Sequence, residues 1–409
     1  MTSLREIKPG RLLLTAVVLL LAVAVAAGLT GCSPKKNTAA TRNYQAFITR
    51  YNVYFNGDEH YKQTLKDMES TYEDDYTGPL LLHPAEAYGV TSLPKPSGSF
   101  TRSIEKAQKA IQLHSIKKRP KRKSGKGNDP EYKKWLKREE YNPFLHNAWM
   151  LMARSQYHDG DYLGAASTFY YVSRHFTWLP ATVTEAQLWQ ARCYCAMDWL
   201  YEAEVILRRI KEDQLTNRKL KELYAFTSAD MYVRLRDYDK AIPLLREAAS
   251  LASKSQKSRL YYVLGRVCAL AGRKSDAYEA YGKAAGASGA THRARFNARI
   301  RQSEVYEGAD PTPEVNALRR MARYSVNQEY LDQIYYAIGN LYLSRGDTLQ
   351  AIHNYEEAAR LSTRNGIDKA ISQITLGGLY YERGEYDKAQ PAIPRLFSSS
   401  PRPIPTMRR

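Results

Sequence analysis

Cysteine is scarce, with four residues in a chain of 409, and this excludes a scaffold built on disulfides. Phenylalanine is scarce too, at 9 residues against 32 tyrosines. Tyrosine suits half-buried positions, ring packed and hydroxyl wet, so the composition favours many small interfaces over one deep core. Acidic residues number 42 against 61 Lys and Arg, a formal charge of +19. The one long apolar run, Leu12 to Ala27, is 16 residues, shorter than the roughly 20 a membrane helix needs. The sequence lacks a G-x-x-x-x-G-K-[ST] loop, an H-E-x-x-H pair and a G-x-S-x-G elbow. Its eight histidines are scattered, with no two at metal-ligand spacing on one helix face. The expectation is therefore no catalytic residues, no metal and no cofactor. Cys193 and Cys195, two apart, point to different sides of a helix; with Cys268 they read as small core residues.

What is present begins with a targeting segment, residues 1–31. Arg5, Lys8 and Arg11 precede the apolar run, and Leu29-Thr30-Gly31-Cys32 follows it. That order resembles a bacterial lipobox, which implies cleavage before Cys32 and acylation of its thiol. The next residues, Ser33-Pro34-Lys35-Lys36, carry neither an Asp inner-membrane signal nor an acidic surface-display run. The expected place is the outer membrane, lipid-anchored and facing the periplasm, with residues 32–42 as a flexible tether. Nucleic acid is not an expected partner there, so the excess charge is left to face anionic headgroups, lipopolysaccharide or an acidic protein.

A repeat organises the rest. Alanines 165, 203, 241, 277, 351 and 389 are spaced by 38, 38, 36, 74 and 38 residues. The 74 is two periods of 37, so one unit near Glu314 is degenerate. Twelve residues before each alanine stands another small residue: Ala153, Ala191, Ala229, Gly265, Gly339 and Gly377. Four residues after stands a bulky one, among them Phe169, Leu207, Tyr281 and Tyr355. Gly160, Gly272, Gly346 and Gly384 occupy the turn. This register resembles the tetratricopeptide repeat: two antiparallel helices brought close by facing small residues, stacking on the next pair. The expected fold is all-α, a tetratricopeptide-repeat superhelical solenoid over 141–390 with about seven units.

Residues 43–116 read as an N-terminal helical region with a degenerate repeat. Tyr44, Phe47, Ile48, Tyr51 and Phe55 recur at helical spacing, Asn56-Gly57 reads as a helix break, and Gly78-Pro79 with Leu93 to Gly98 as loop. Residues 117–140 read as a basic insert loop. Its patch is Lys117, Lys118, Arg119, Lys121, Arg122, Lys123 and Lys126; Lys117 to Arg138 carries a net +9. It is either an electrostatic contact for an anionic membrane or partner, or a solvated loop. The first helices of tetratricopeptide units usually line a concave groove. That geometry selects Arg154, Tyr157, Arg192, Phe226, Tyr262, Arg266, Tyr336 and Tyr381, a set suited to an acidic or carboxylate-bearing segment.

Cys32 to Thr38, Tyr51-Asn52-Val53-Tyr54-Phe55-Asn56-Gly57, His114-Ser115-Ile116, Lys118 to Lys123 and Asn142 to Trp149 form a further set of stretches. Together they resemble the PorW/SprE type of tetratricopeptide lipoprotein from the type IX secretion and gliding machinery of Bacteroidetes. The resemblance implies a non-enzymatic scaffold joining protein components of a secretion complex. The chain departs from that pattern at its end. Pro391, Pro394, Pro401, Pro403 and Pro405 fall where a last helix should run, so 391–409 reads as a disordered or truncated tail. The alternative function is a glycan- or nutrient-binding outer-membrane lipoprotein built on the same helices. The five tryptophans, 135, 149, 178, 189 and 199, lie mostly within repeat helices, which favours the scaffold.

Overall fold

The computed structural model describes residues 36–363 and 367–391. The signal segment, Cys32 and residues 392–409 of the expected tail lie outside them. Among the described residues there is no strand, and the chain divides into two compact units. The first comprises residues up to Asp75 together with His83–Leu235. The second comprises Tyr76–Leu82 and the residues from Arg236 on.

In the first unit, α1 (Ala39–Ile48) runs through a π-helical stretch (Thr49–Tyr54) into α2 (Phe55–Thr71). α3 (Thr101–His114) and the short α4 (Pro130–Leu136) follow. Helices α5 (Leu145–His158), α6 (Tyr162–His175), α7 (Pro180–Ala196), α8 (Leu200–Leu207) and α9 (Arg218–Arg234) carry the repeats. The second unit contains α10 (Tyr238–Leu251), α11 (Lys254–Leu270), α12 (Lys274–Gly286), α13 (His292–Glu304), α14 (Thr312–Ala322), α15 (Leu331–Leu343), α16 (Thr348–Leu361) and α17 (Ile367–Glu382).

The small-residue register sets how these helices pair. Ala153, Ala165, Ala191, Ala203, Ala229, Ala241, Ala277 and Ala351 are all fully buried. The turn between paired helices repeats with the same spacing. Gly160, Asp198, Arg236, Gly272, Gly346 and Gly384 all have positive φ, between 59° and 88°. The geometry is a helix C-cap. At Gly346 the N–H bonds back to Leu343 O (3.0 Å), and the N–H of Asp347 bonds back to Tyr342 O (3.1 Å). Asp347 then caps the next helix by accepting from Gln350 N–H (3.0 Å).

The degenerate unit has a physical explanation. Where other units place Ala and Gly, it places Glu314 and Gln302, both buried. Tyr278 donates its hydroxyl to the Glu314 carboxylate, and Gln302 Nε2 donates to Tyr278 O (3.0 Å). Buried polar groups are tolerated when paired, so a polar lock replaces the small-residue contact.

The structure corrects several boundaries. The expected tether ends early: α1 begins at Ala39, because Thr38 Oγ1 accepts from Thr41 N–H (3.1 Å) and starts the helix. Asn56-Gly57 does not break a helix. Gly57 is buried inside α2, where a Cβ would stand 3.0 Å from Lys106 Cβ and 3.2 Å from Leu151 Cδ2, so it permits close packing. The basic insert is not all loop, since Asp129 caps α4 and Pro130 opens it. Pro391 ends a helical stretch, 386–391, where the tail was expected to start.

Candidate functional site

The expected groove residues fall in both units, and in each the groove already holds a piece of the chain. In the first unit the occupant is the 3₁₀ turn Pro84–Gly89 with His83 as its cap. Ala85 and Ala87 are fully buried, and Tyr162 donates its hydroxyl to Ala85 O (2.6 Å). Glu86 is 2% exposed and pairs with Arg234 Nη2 (3.3 Å); the same guanidinium holds Asp230 (3.0 Å) through Nε. Lys95 Nζ clamps the turn from outside, donating to the carbonyls of Ala87, Tyr88 and Val90 at 3.0, 2.9 and 3.1 Å.

Around this turn Tyr157, Arg192 and Phe226 are buried. The Arg192 guanidinium lies over the rings of Phe226 (4.2 Å), Trp189 (4.8 Å) and Tyr157 (5.1 Å), and its Nε donates to Tyr157 Oη (3.1 Å). A cation enclosed by three rings is stabilised by cation–π attraction in a dry site. It is a structural centre, not an exposed hook for an acidic segment. Arg154 is half-buried over the Tyr61 ring (5.6 Å). Burial raises the Tyr61 phenol to about 12 and pushes that of Tyr157 well above its ordinary value, so both stay protonated.

In the second unit the occupant is Tyr76–Leu82. Three arginines recognise its main chain. Arg301 Nη2 donates to Tyr76 O (3.3 Å), Arg266 Nη1 to Gly78 O (2.6 Å) and Arg259 Nη1 to Leu81 O (3.4 Å). Tyr262, 3% exposed, packs edge-on against the Tyr76 ring (5.2 Å). Arg266 thus meets a carbonyl where a carboxylate was expected, and Tyr262 is covered. Next to Tyr76 and Thr77 the second unit has an open pocket of about 320 Å³, lined among others by Arg293, Asn297, Tyr330, Gln333, Tyr336 and Ile371. Tyr336 is half-buried there, its hydroxyl 3.3 Å from Thr375 Oγ1. Tyr381 does not line this pocket; it is 66% exposed and packs edge-on against Tyr386 (5.4 Å).

The basic patch is exposed as expected at Lys117, Lys118, Arg119, Lys121, Arg122, Lys123 and Lys126. What pins the insert was not foreseen. The buried Glu140 carboxylate accepts from Ser115 Oγ (2.5 Å) and from the N–H groups of Ile116 (2.9 Å), Tyr141 (3.0 Å) and Asn142 (2.7 Å), gathering both ends of the insert. Charge-assisted bonds of this kind are about twice as strong as neutral ones. The groove occupant was also missed, because Gly78-Pro79 reads as loop. The available signal was Leu80-Leu81-Leu82, an apolar run out of place in a solvated loop. Cys193, Cys195 and Cys268 are buried, and burial raises all three thiols, Cys268 to about 11. Among the described residues no group of His, Cys, Asp and Glu is placed to hold a metal, and no helix is long and apolar enough to cross a membrane.

Comparison with known proteins agrees with this geometry. Tetratricopeptide-repeat models match residues 226–290 and 330–392. The fold is thus an all-α tetratricopeptide-repeat architecture, a class that mediates binding of protein partners and is generally non-catalytic. Among solved structures the chain is similar to a STAND-type signal transduction ATPase with a tetratricopeptide-repeat sensor from Pyrococcus horikoshii. The identity is 13% and the TM-score 0.45, over 73% of this chain and 49% of that one, so the chain spans about half its length. It is also similar to the apo quorum sensor NprR from B. thuringiensis, at 13% identity and TM-score 0.38, over 85% of this chain and 94% of that one. A search of curated proteins returned no match.

Proposed function

We propose that this protein is a lipid-anchored scaffold of the outer membrane, facing the periplasm, that joins protein components of the type IX secretion and gliding machinery. The observation that carries the scaffold reading is the second unit's groove. It binds an irregular segment of the chain, Tyr76–Leu82, through arginine-to-carbonyl hydrogen bonds that do not depend on side-chain identity. The adjoining open pocket has apolar surface at Tyr330, Tyr336 and Ile371, which suits an apolar side chain of a partner segment. The finer assignment is supported by the lipobox ending at Cys32 and by the Tyr51 to Gly57 stretch. The scaffold reading is further favoured over glycan binding because Trp135, Trp149, Trp189 and Trp199 each stack or tilt on a protein ring, and Trp178 carries Arg138 at 4.6 Å.

The test is site-specific photo-crosslinking from position 336 in cells, followed by mass spectrometry, alongside lipid labelling of the Cys32→Ala variant. The expected results are a crosslink to an envelope protein of the secretion complex and loss of labelling. Crosslinks confined to this chain, or labelling that survives the substitution, refute the corresponding half of the proposal.

A further inference from the structure

The helix that opens the described chain is built inside out. On α1 and at the start of the π-helical stretch the most buried residues are polar: Thr41, Gln45 and Thr49 are at most 4% exposed, and only Val53, further along, adds a buried apolar side chain. The polar side chains are held by hydrogen bonds. Gln45 Oε1 lies 2.6 Å from His114 Nδ1, and Thr49 Oγ1 accepts from Asn142 Nδ2 (3.1 Å). The aromatic residues point the other way. Tyr44, Phe47, Tyr51 and Phe55 are 37%, 63%, 57% and 53% exposed. The Phe47 and Tyr51 rings touch, 4.9 Å between centroids, and the Arg50 guanidinium lies 5.2 Å from the Tyr51 ring. A surface helix ordinarily turns its apolar face inward. Here the apolar face is continuous, outward and rich in rings. The π-helical stretch contributes: its wider turn keeps residues four apart closer to one line than 3.6 residues per turn allows.

We infer that this face rests in the interface of an anionic phospholipid bilayer. Three observations favour lipid over a protein surface. The exposed rings are Tyr and Phe beside Arg, the composition of interfacial helices, whose aromatic groups sit at headgroup level. No acidic residue occurs from Ser33 to Gly57, while Lys35, Lys36, Arg42 and Arg50 do, so the charge complements anionic headgroups. And α1 begins seven residues after Cys32, a reach of at most about 25 Å, so an acyl chain at Cys32 holds this face close to the membrane. The third argument rests on the lipid-anchor reading above; the first two do not. The anchor supplies residence at the membrane, and the aromatic face sets which side of the first unit lies against it.

The experiment uses the full mature chain and vesicles of phosphatidylethanolamine and phosphatidylglycerol at three to one. In one arm, Phe47→Trp on the acylated protein reports quenching by lipids brominated on the acyl chain, with Tyr201→Trp, at a position 75% exposed, as the reference. The wild-type tryptophan signal is subtracted from both. The extra emission of Phe47→Trp should fall by at least half while that of Tyr201→Trp is unchanged; equal quenching of the two overturns the inference. In the second arm the unacylated Cys32→Ala chain is sedimented with the same vesicles. Phe47→Glu with Tyr51→Glu should lower its partition at least tenfold, with helix content unchanged because both side chains are exposed. A partition indifferent to that double substitution overturns the inference, as does shielding of Phe47→Trp only on addition of a protein partner. Lipid labelling at Cys32 reads the anchor separately, so failure of the anchor and failure of the aromatic face are distinguishable.

Discussion

Gly339→Ala tests whether ring contacts, and not helix propensity, choose the small residue of each repeat. On propensity alone the change should stabilise α15 by about 1 kcal/mol. The structure opposes it. A Cβ at position 339 would stand 2.5 Å from Tyr355 Cε1, 2.7 Å from Cδ1 and 3.0 Å from Cζ. The Tyr355 ring is fully buried, and its hydroxyl donates to Asn340 Oδ1 (2.7 Å). It cannot tilt away without stretching that bond, worth about 1 kcal/mol. Spreading α15 from α16 instead costs about 1–3 kcal/mol, the range for overpacking a tight core. The expected net effect, the overpacking cost less the propensity gain, is a loss of up to about 2 kcal/mol. Other units pair Ala with Leu, as Ala191 and Ala229 stand twelve residues before the alanines that precede Leu207 and Leu245 by four. In a Tyr355→Leu background the same Gly339→Ala change should therefore keep the propensity gain of about 1 kcal/mol, giving a coupling of about 1–3 kcal/mol in a double-mutant cycle. The assay is urea unfolding followed by far-UV circular dichroism, read as the midpoint at unchanged slope. A raised midpoint for Gly339→Ala, or the same cost in both backgrounds, refutes the reasoning.

Two turns spend conformational energy on a side chain where the other units use glycine: Asp198 (φ 61°) and Arg236 (φ 59°). Arg236→Gly should stabilise the protein by about 0.5–1 kcal/mol and Asp198→Gly by less, because Asp tolerates the left-handed region better; thermal unfolding of the two variants checks the order. Burial lowers the affinity of His158, His146 and His114 for a proton, His158 most. The unfolded chain then takes up protons first as the pH drops below about 6.5, so stability should hold above that value and fall below it toward the folded-state values. His158→Phe should make the slope of stability against pH shallower by up to one proton, about 1.4 kcal/mol per pH unit, and an unchanged slope counts against the assignment.

The sequence by itself determined the repeat. Paired helices meet through small residues at fixed offsets and turn through a left-handed residue at fixed spacing. Both are local demands on the chain, so they are written as period and position: Ala153 with Ala165, Ala191 with Ala203, Gly339 with Ala351, all buried where the register put them. The groove residues were legible as positions on the inner helices, but not as occupied ones. What covers Tyr262 and Arg266 is a segment over a hundred residues earlier in the chain, and a pairing across that separation leaves no periodic trace. The first helix shows the same limit in reverse. The spacing of Tyr44, Phe47, Tyr51 and Phe55 established a helix face, but a period carries no sign. Only the packing decided that the polar face turns inward, because His114 and Asn142 await it with hydrogen bonds and leave the rings outside. Likewise Gly57 reads as a break until Lys106 and Leu151 are seen pressing on it, for a glycine's role depends on what approaches its missing side chain.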